Sequence, residues 1–234
     1  MTGSNMENRA AGELGPILTL WTWFEANRRR VTITAAIVVV VGIVLALVLS
    51  WKNRQVVQAS EALSDLMAPG AVQQSGAITP EKLLSLAAEH PGTGAGARAQ
   101  LQAAGLLFTE GKYAEAQTQF QRFLAENPDH LFVPQATYGI AATLEALGKT
   151  EDAAKAYRQI ADRFKAQGIG FSAASALGRI LESQGKYLEA MPLFEEVARG
   201  DANGMLGGEA RLRLAQIQQK LPPSATTTID TKAP

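Results

Sequence analysis

Apolar and polar positions alternate in two different ways along the chain. From Val31 to Ser50 there is no charged residue in twenty positions, and from Ile37 to Leu49 only Gly42 interrupts a run that is apolar on every face. Twenty helical residues at roughly 1.5 Å each cross a bilayer core of about 30 Å. A cleaved leader has a shorter apolar core placed earlier, so residues 31–50 are read as a retained transmembrane helix. Beyond residue 79 the pattern changes: apolar residues recur at spacings of three and four with polar residues between, the period of amphipathic helices. The expected fold class is all-α, one amino-terminal membrane helix followed by a solenoid of helical hairpins.

The second regime repeats itself. Gly111-Lys112-Tyr113-Ala114-Glu115-Ala116 returns as Gly148-Lys149-Thr150-Glu151-Asp152-Ala153 and as Gly185-Lys186-Tyr187-Leu188-Glu189-Ala190, at intervals of 37 residues. Nine positions after each glycine stands an aromatic (Phe120, Tyr157, Phe194), and three further an apolar residue (Phe123, Ile160, Val197). Seven before it is a small residue (Ala104, Ala141, Gly178), and four before it a leucine (Leu107, Leu144, Leu181). Each unit therefore reads as helix, glycine turn, helix, with small residues that let two backbones approach and an aromatic that fills the gap. A fixed period of this size is the signature of a solenoid.

Taken in order, residues 1–14 are polar and expected to be disordered. Around Trp21, Trp23 and Phe24, ahead of Arg28-Arg29-Arg30, a short helix in the membrane interface is expected, so that residues 16–51 as a whole meet lipid. Residues 51–78 form a stalk helix and a loop, the helix stopping at Ala68-Pro69-Gly70. Thr79-Pro80-Glu81 opens the repeat domain, 79–221, with a capping hydroxyl, a first-turn proline and an acid. Its first helix is half of an imperfect leading unit, whose partner is expected to be the stalk. Further helices are expected over 96–110, 113–126, 132–147, 150–165, 171–184, 187–199 and 208–220, with surplus loop length at 127–131 and 166–170. Residues 222–234 are read as a disordered tail.

The repeat resembles the tetratricopeptide (TPR) family. Gly111, Tyr113, Ala116, Phe120 and Pro128 carry nearly its whole signature in the first full unit. Later units depart from it: Lys165 and Ala202 replace the proline, Thr150 replaces the tyrosine, and the period exceeds the usual 34 residues by three. The resemblance implies stacked helix pairs whose first helices line a concave groove for a peptide or a partner helix. Candidate groove positions are Gln100, Gln102, Thr137, Tyr138, Ser175, Arg179, Arg211 and Arg213.

Composition narrows the chemistry. The whole chain has 22 basic and 22 acidic residues, and no cysteine. Neither nucleic-acid binding nor thiol chemistry is implied. Its two histidines, His90 and His130, follow helices and are expected to meet their negative ends. The glycine-rich Pro91-Gly92-Thr93-Gly94-Ala95-Gly96 lacks the Lys-Ser/Thr that completes a phosphate loop. Glu110, Glu145 and Glu182 are read as solvated. No catalytic triad, paired acids or metal motif emerges, so the expectation is a non-enzyme without cofactor, metal or small-molecule substrate.

Phe24-Glu25-Ala26-Asn27-Arg28, a span closing on Trp51, and a stalk leading into degenerate TPR units are similar in layout to the YfgM-like family of ancillary SecYEG translocon subunits. That resemblance implies a single-pass bacterial inner-membrane protein with a periplasmic TPR domain, contacting the Sec translocon core and periplasmic chaperones. Three arginines before the span against Lys52 and Arg54 after it place the amino terminus in the cytoplasm by the positive-inside rule. The alternatives are an adaptor for envelope assembly or cell division, and a tethered enzyme or ligand-binding protein with an unrecognised pocket.

Overall fold

The computed structural model describes residues 23–25, 27–68, 78–165 and 167–221. All regular structure among them is helical: α1 (Arg28–Met67), α2 (Pro80–Glu89), α3 (Gly94–Thr109), α4 (Tyr113–Glu126), α5 (Val133–Ala146), α6 (Thr150–Arg163), α7 (Gly168–Ser183), α8 (Tyr187–Gly200) and α9 (Met205–Lys220). The polar residues 1–14, the start of the interfacial segment, most of the loop before residue 78 and the tail 222–234 lie outside the described residues.

By its contacts the chain forms two compact units, Met1–Gln55 and Val56–Pro234. In the first, the large apolar side chains of α1 from Ile33 to Trp51 are exposed. Among the described residues this one helix is long and apolar enough to cross a membrane.

The second unit is a run of antiparallel helices, each packed on the next from α2 to α9. Alternate helices α3, α5, α7 and α9 also touch their successors, which makes one layer of first helices and one of second helices. The end of α1 supplies the leading first helix: its Leu63 packs with Leu83 and Leu86 of α2 and with Ala99 and Ala103 of α3.

The recurring glycine phrase is a helix-stop device. Gly111, Gly148 and Gly185 have φ of 77°, 74° and 74°, a region open to glycine without a Cβ penalty. Each donates its N–H to the carbonyl three residues back (Phe108, Glu145, Glu182). The lysine that follows donates five residues back, to Leu107, Leu144 or Leu181. These paired bonds are a Schellman motif, and they explain why leucine recurs four before the glycine, where the motif wants an apolar contact. The same lysine, with φ near −80° in all three units, leads straight into the next helix. An acid in the first turn of that helix faces its positive end: Glu115, Asp152 or Glu189.

The aromatic column forms the core. Phe120, Tyr157 and Phe194 are buried, as are Phe123, Ile160 and Val197 one turn later. Burying each such side chain is worth about 1.5–3 kcal/mol. Ala104 and Ala141 of the small-residue column are fully buried in the same clusters.

Helix starts differ from expectation where glycine is dense. α7 begins at Gly168 and α9 at Met205, each three residues before the expected start, and α3 begins two residues early at Gly94. The surplus at 166–170 is therefore largely helix, whereas the turn at 127–132 is real. Extended residues set these starts: Thr93 accepts the N–H of Gly96, and Gln167 and Gly204 adopt the same extended conformation. At α2 the expected cap is present, with Thr79 accepting the N–H of Lys82. The Glu81 carboxyl lies below its ordinary range because its own backbone N–H and the Thr79 hydroxyl both bond it.

Candidate functional site

The residues expected to line one groove fall into separate environments. Tyr138 on α5 and Arg179 on α7 belong together, half-buried beside Tyr157 of α6, with the two phenol rings 5.4 Å apart. Tyr157 is 1% exposed, so its hydroxyl needs a partner, and it donates to Glu145 Oε2 at 2.8 Å. Burial first, then the bond to Glu145, drive the Tyr157 hydroxyl far above its ordinary pKa, with the Arg179 charge opposing. Burial also raises Tyr138, again against Arg179. The phenols therefore stay neutral, serving as hydrogen-bonding and apolar surface.

Ser175, one turn before Arg179, is 1% exposed, and its hydroxyl has no partner among the described residues. Thr137 is half-buried and donates to the Val133 carbonyl of its own helix at 2.8 Å. Gln102 is half-buried on α3.

Arg213 on α9 is tied down, its Nη1 3.2 Å from Glu182 Oε2 and its Nη2 3.4 Å from Glu209 Oε1. Lys220 completes the cluster at 3.1 Å from Glu182 Oε1. Glu182 therefore departs from the solvated reading: its side chain is 10% exposed and two cations from the terminal helix hold it. Glu145 departs likewise through Tyr157, while Glu110 is exposed and pairs with Lys112 at 2.9 Å.

Two candidates are engaged away from this set. Gln100 is buried and donates to Glu126 Oε2 of α4 at 3.3 Å, on the wall of a 440 Å³ cavity between α2 and α4. Arg211 donates to the carbonyls of Ala202 at 3.0 Å and Ala198 at 3.5 Å, capping the exit of α8. Exposed carbonyls at a helix end attract a guanidinium, and that local demand uses the side chain.

The backbone of His90 and the ring of His130 are both used structurally. His90 is the last residue of α2's cap, its N–H bonded to Leu86 and its carbonyl accepting from Thr93. The His130 Nδ1 accepts the N–H of Phe132 at 3.2 Å, and its ring lies 5.6 Å from Phe123 and 5.2 Å from Phe132. It works as a loop staple and not through a helix end. Among the described residues no group of side chains is disposed to hold a metal ion.

A second concavity of about 770 Å³ went unmarked in the sequence. It lies between the end of α1, the start of α3 and the α4–α5 turn, and Val56, Met67, Arg98 and Leu131 are on its lining. Its walls come from three segments about one repeat period apart, each unremarkable alone.

A sequence profile of the tetratricopeptide repeat-like domain matches residues 21–190. Among solved structures, a tetratricopeptide repeat protein from Parabacteroides merdae is similar at 15% identity and a TM-score of 0.53. That alignment covers 71% of this chain, and the chain spans only 61% of that one. MamA from Desulfovibrio magneticus RS-1 (residues 41 to the end) is similar at 15% identity, with 71% and 85% of the two chains covered and a TM-score of 0.52. An RS-1 MamA double mutant gives 14% identity, 74% and 89% coverage and a TM-score of 0.54. At these identities the likeness is one of fold. No curated protein matches the chain.

Proposed function

We propose that this chain, which belongs to the tetratricopeptide repeat-like domain family, is a membrane-anchored scaffold that binds proteins through its stacked helix pairs. Solenoids of this kind present long concave surfaces and few enclosed pockets, which suits macromolecular partners. The observation that carries the reading is the coexistence in one chain of a repeat domain and an exposed apolar helix of membrane-crossing length. In this reading α1 is a retained span, with the arginines at 28–30 on the cytoplasmic side and the repeats outside the plasma membrane. The chain serves there as an ancillary subunit of the Sec translocon, holding periplasmic chaperones close to emerging proteins. It performs no catalysis.

Support for the translocon assignment is architectural: one candidate span among the described residues, a stalk that doubles as the first repeat helix, and degenerate TPR units. Cross-linking in intact membranes, solubilisation in mild detergent and mass spectrometry of what co-purifies with the full-length chain test it. Recovery of translocon core subunits together with a periplasmic chaperone is the expected result. Recovery of division or outer-membrane assembly factors in their place transfers the chain to an envelope adaptor role. Turnover or saturable binding of a small molecule by the purified protein refutes the scaffold reading.

A further inference from the structure

Resting on the scaffold reading, we infer that the concavity between α1, α3 and the α4–α5 turn is a docking groove for an acidic, apolar segment of a partner protein. Its size, about 770 Å³, is within the range of sites that bury several side chains. Three large apolar residues on its walls remain exposed: Val56, Met67 and Leu131, the last 71% exposed.

Leu131 is not a loose tip. On either side of it His130 and Phe132 are fixed, the ring of one accepting the N–H of the other and both rings packing together beside Phe123. An apolar side chain held out on a stapled loop is pre-organised for contact, so little conformational freedom is lost when a partner covers it.

Charge identifies the occupant. Arg98 is exposed on the wall and makes no ion pair among the described residues, and no carboxylate is among the residues lining the groove. Elsewhere on the first-helix layer, Arg213 and Lys220 are already matched by Glu182. An apolar surface with one unspent guanidinium is complementary to a segment that sets a carboxylate among apolar residues. Val56 lies six residues beyond Ser50, so in sequence the groove follows directly on the span.

The test uses the full-length chain in native membranes, with the photo-cross-linking amino acid p-benzoylphenylalanine replacing Leu131, Met67 or, as a control on α8, the exposed Leu188. Adducts are mapped to the residue by mass spectrometry. The expected result is protein adducts at 131 and 67 at least fivefold above those at 188, on a segment carrying Asp or Glu between apolar residues. Arg98→Glu should bring that yield down to the control level, and replacing the partner's acid by lysine should restore it. Adducts to phospholipid or to a second copy of this chain overturn the inference, as does a yield equal to that at 188 or indifferent to Arg98→Glu. The same probe in place of Tyr138 separates the two failures. Protein capture at 138 without capture at 131 removes this groove and leaves the scaffold standing, whereas no protein at either position removes both.

Discussion

Adding one methyl group at Gly139 should destabilise the repeat domain, although alanine favours helices. A Cβ at this buried position in α5 would stand 2.5–2.6 Å from three atoms of the Phe120 ring, which reaches over from α4. Phe120 is only 6% exposed and packs among Leu107, Phe123 and Ala136, so its ring must displace neighbours to yield. Overpacking of this kind costs about 1–3 kcal/mol, against a helix-propensity gain of about 1 kcal/mol for Gly→Ala. The closeness of three contacts at once places the cost in the upper part of that range, giving a net loss of about 1–2 kcal/mol. Gly105, within α3 and with nothing within 4 Å of its would-be Cβ, isolates the propensity term: Gly105→Ala should gain about 0.5–1 kcal/mol. Urea unfolding of the full-length protein in mild detergent, followed by circular dichroism at 222 nm, measures both. In a Phe120→Leu background, where the obstructing ring is gone, Gly139→Ala should become neutral or stabilising, a coupling of about 1–3 kcal/mol in the double-mutant cycle. Equal stability gains for Gly139→Ala and Gly105→Ala, with no coupling to position 120, would refute the packing argument.

Three other outcomes follow from the same geometry. Gly185→Ala meets no steric neighbour but forces φ of 74° on an L-residue, so it should cost about 1–2 kcal/mol by the same urea assay, and a wild-type midpoint would contradict the turn assignment. Glu182→Ala should cost roughly 1–2 kcal/mol, discounted for the half-exposed Lys220, and hydrogen exchange should rise in α9 before α3 because Arg213 and Lys220 lose their common anchor. The Tyr157 phenol is held neutral in the fold, so its contribution is complete below the unfolded pKa of about 10 and is lost as pH rises past it. Alkaline unfolding should therefore move to higher pH in Tyr157→Phe, at a neutral-pH cost of about 1 kcal/mol for the lost bond to Glu145, and an unchanged alkaline midpoint would count against that account.

The fold was legible because its determinants are local and repeated. Gly111, Gly148 and Gly185 each mark a turn that depends on their own backbone and on a leucine four residues back, all visible within six residues of sequence. Helix starts were less visible because glycine there has a second use. Gly96, Gly170 and Gly207 fall in one register of the 37-residue period. A Cβ on them would run into the carbonyls of His90, Phe164 and Asp201, so these glycines permit a close approach inside a helix and do not end one. Aromatic chemistry offered a further clue: in the column Phe120, Tyr157, Phe194, a lone buried hydroxyl needs an acceptor, and of the four acids in its unit (Glu145, Glu151, Asp152, Asp162) the fold presents Glu145.

The candidate groove was harder to read, because a side chain's availability depends on what the neighbouring helix leaves unsatisfied. Gln100, Thr137 and Arg211 occupy one register of the repeat, yet each meets a different demand. Gln100 reaches the Glu126 carboxylate, Thr137 bonds its own helix, and Arg211 covers the bare carbonyls at the exit of α8. Periodicity places residues on a face, but the loop before the face and the charge across from it decide whether they are free. Arg98 shows the converse. Nothing in its register singles it out, and among the described residues no carboxylate lines the groove beside it. In a repeat protein the side chains free to bind a partner are thus those that the repeat itself has not used, and identifying them requires the neighbours as well as the pattern.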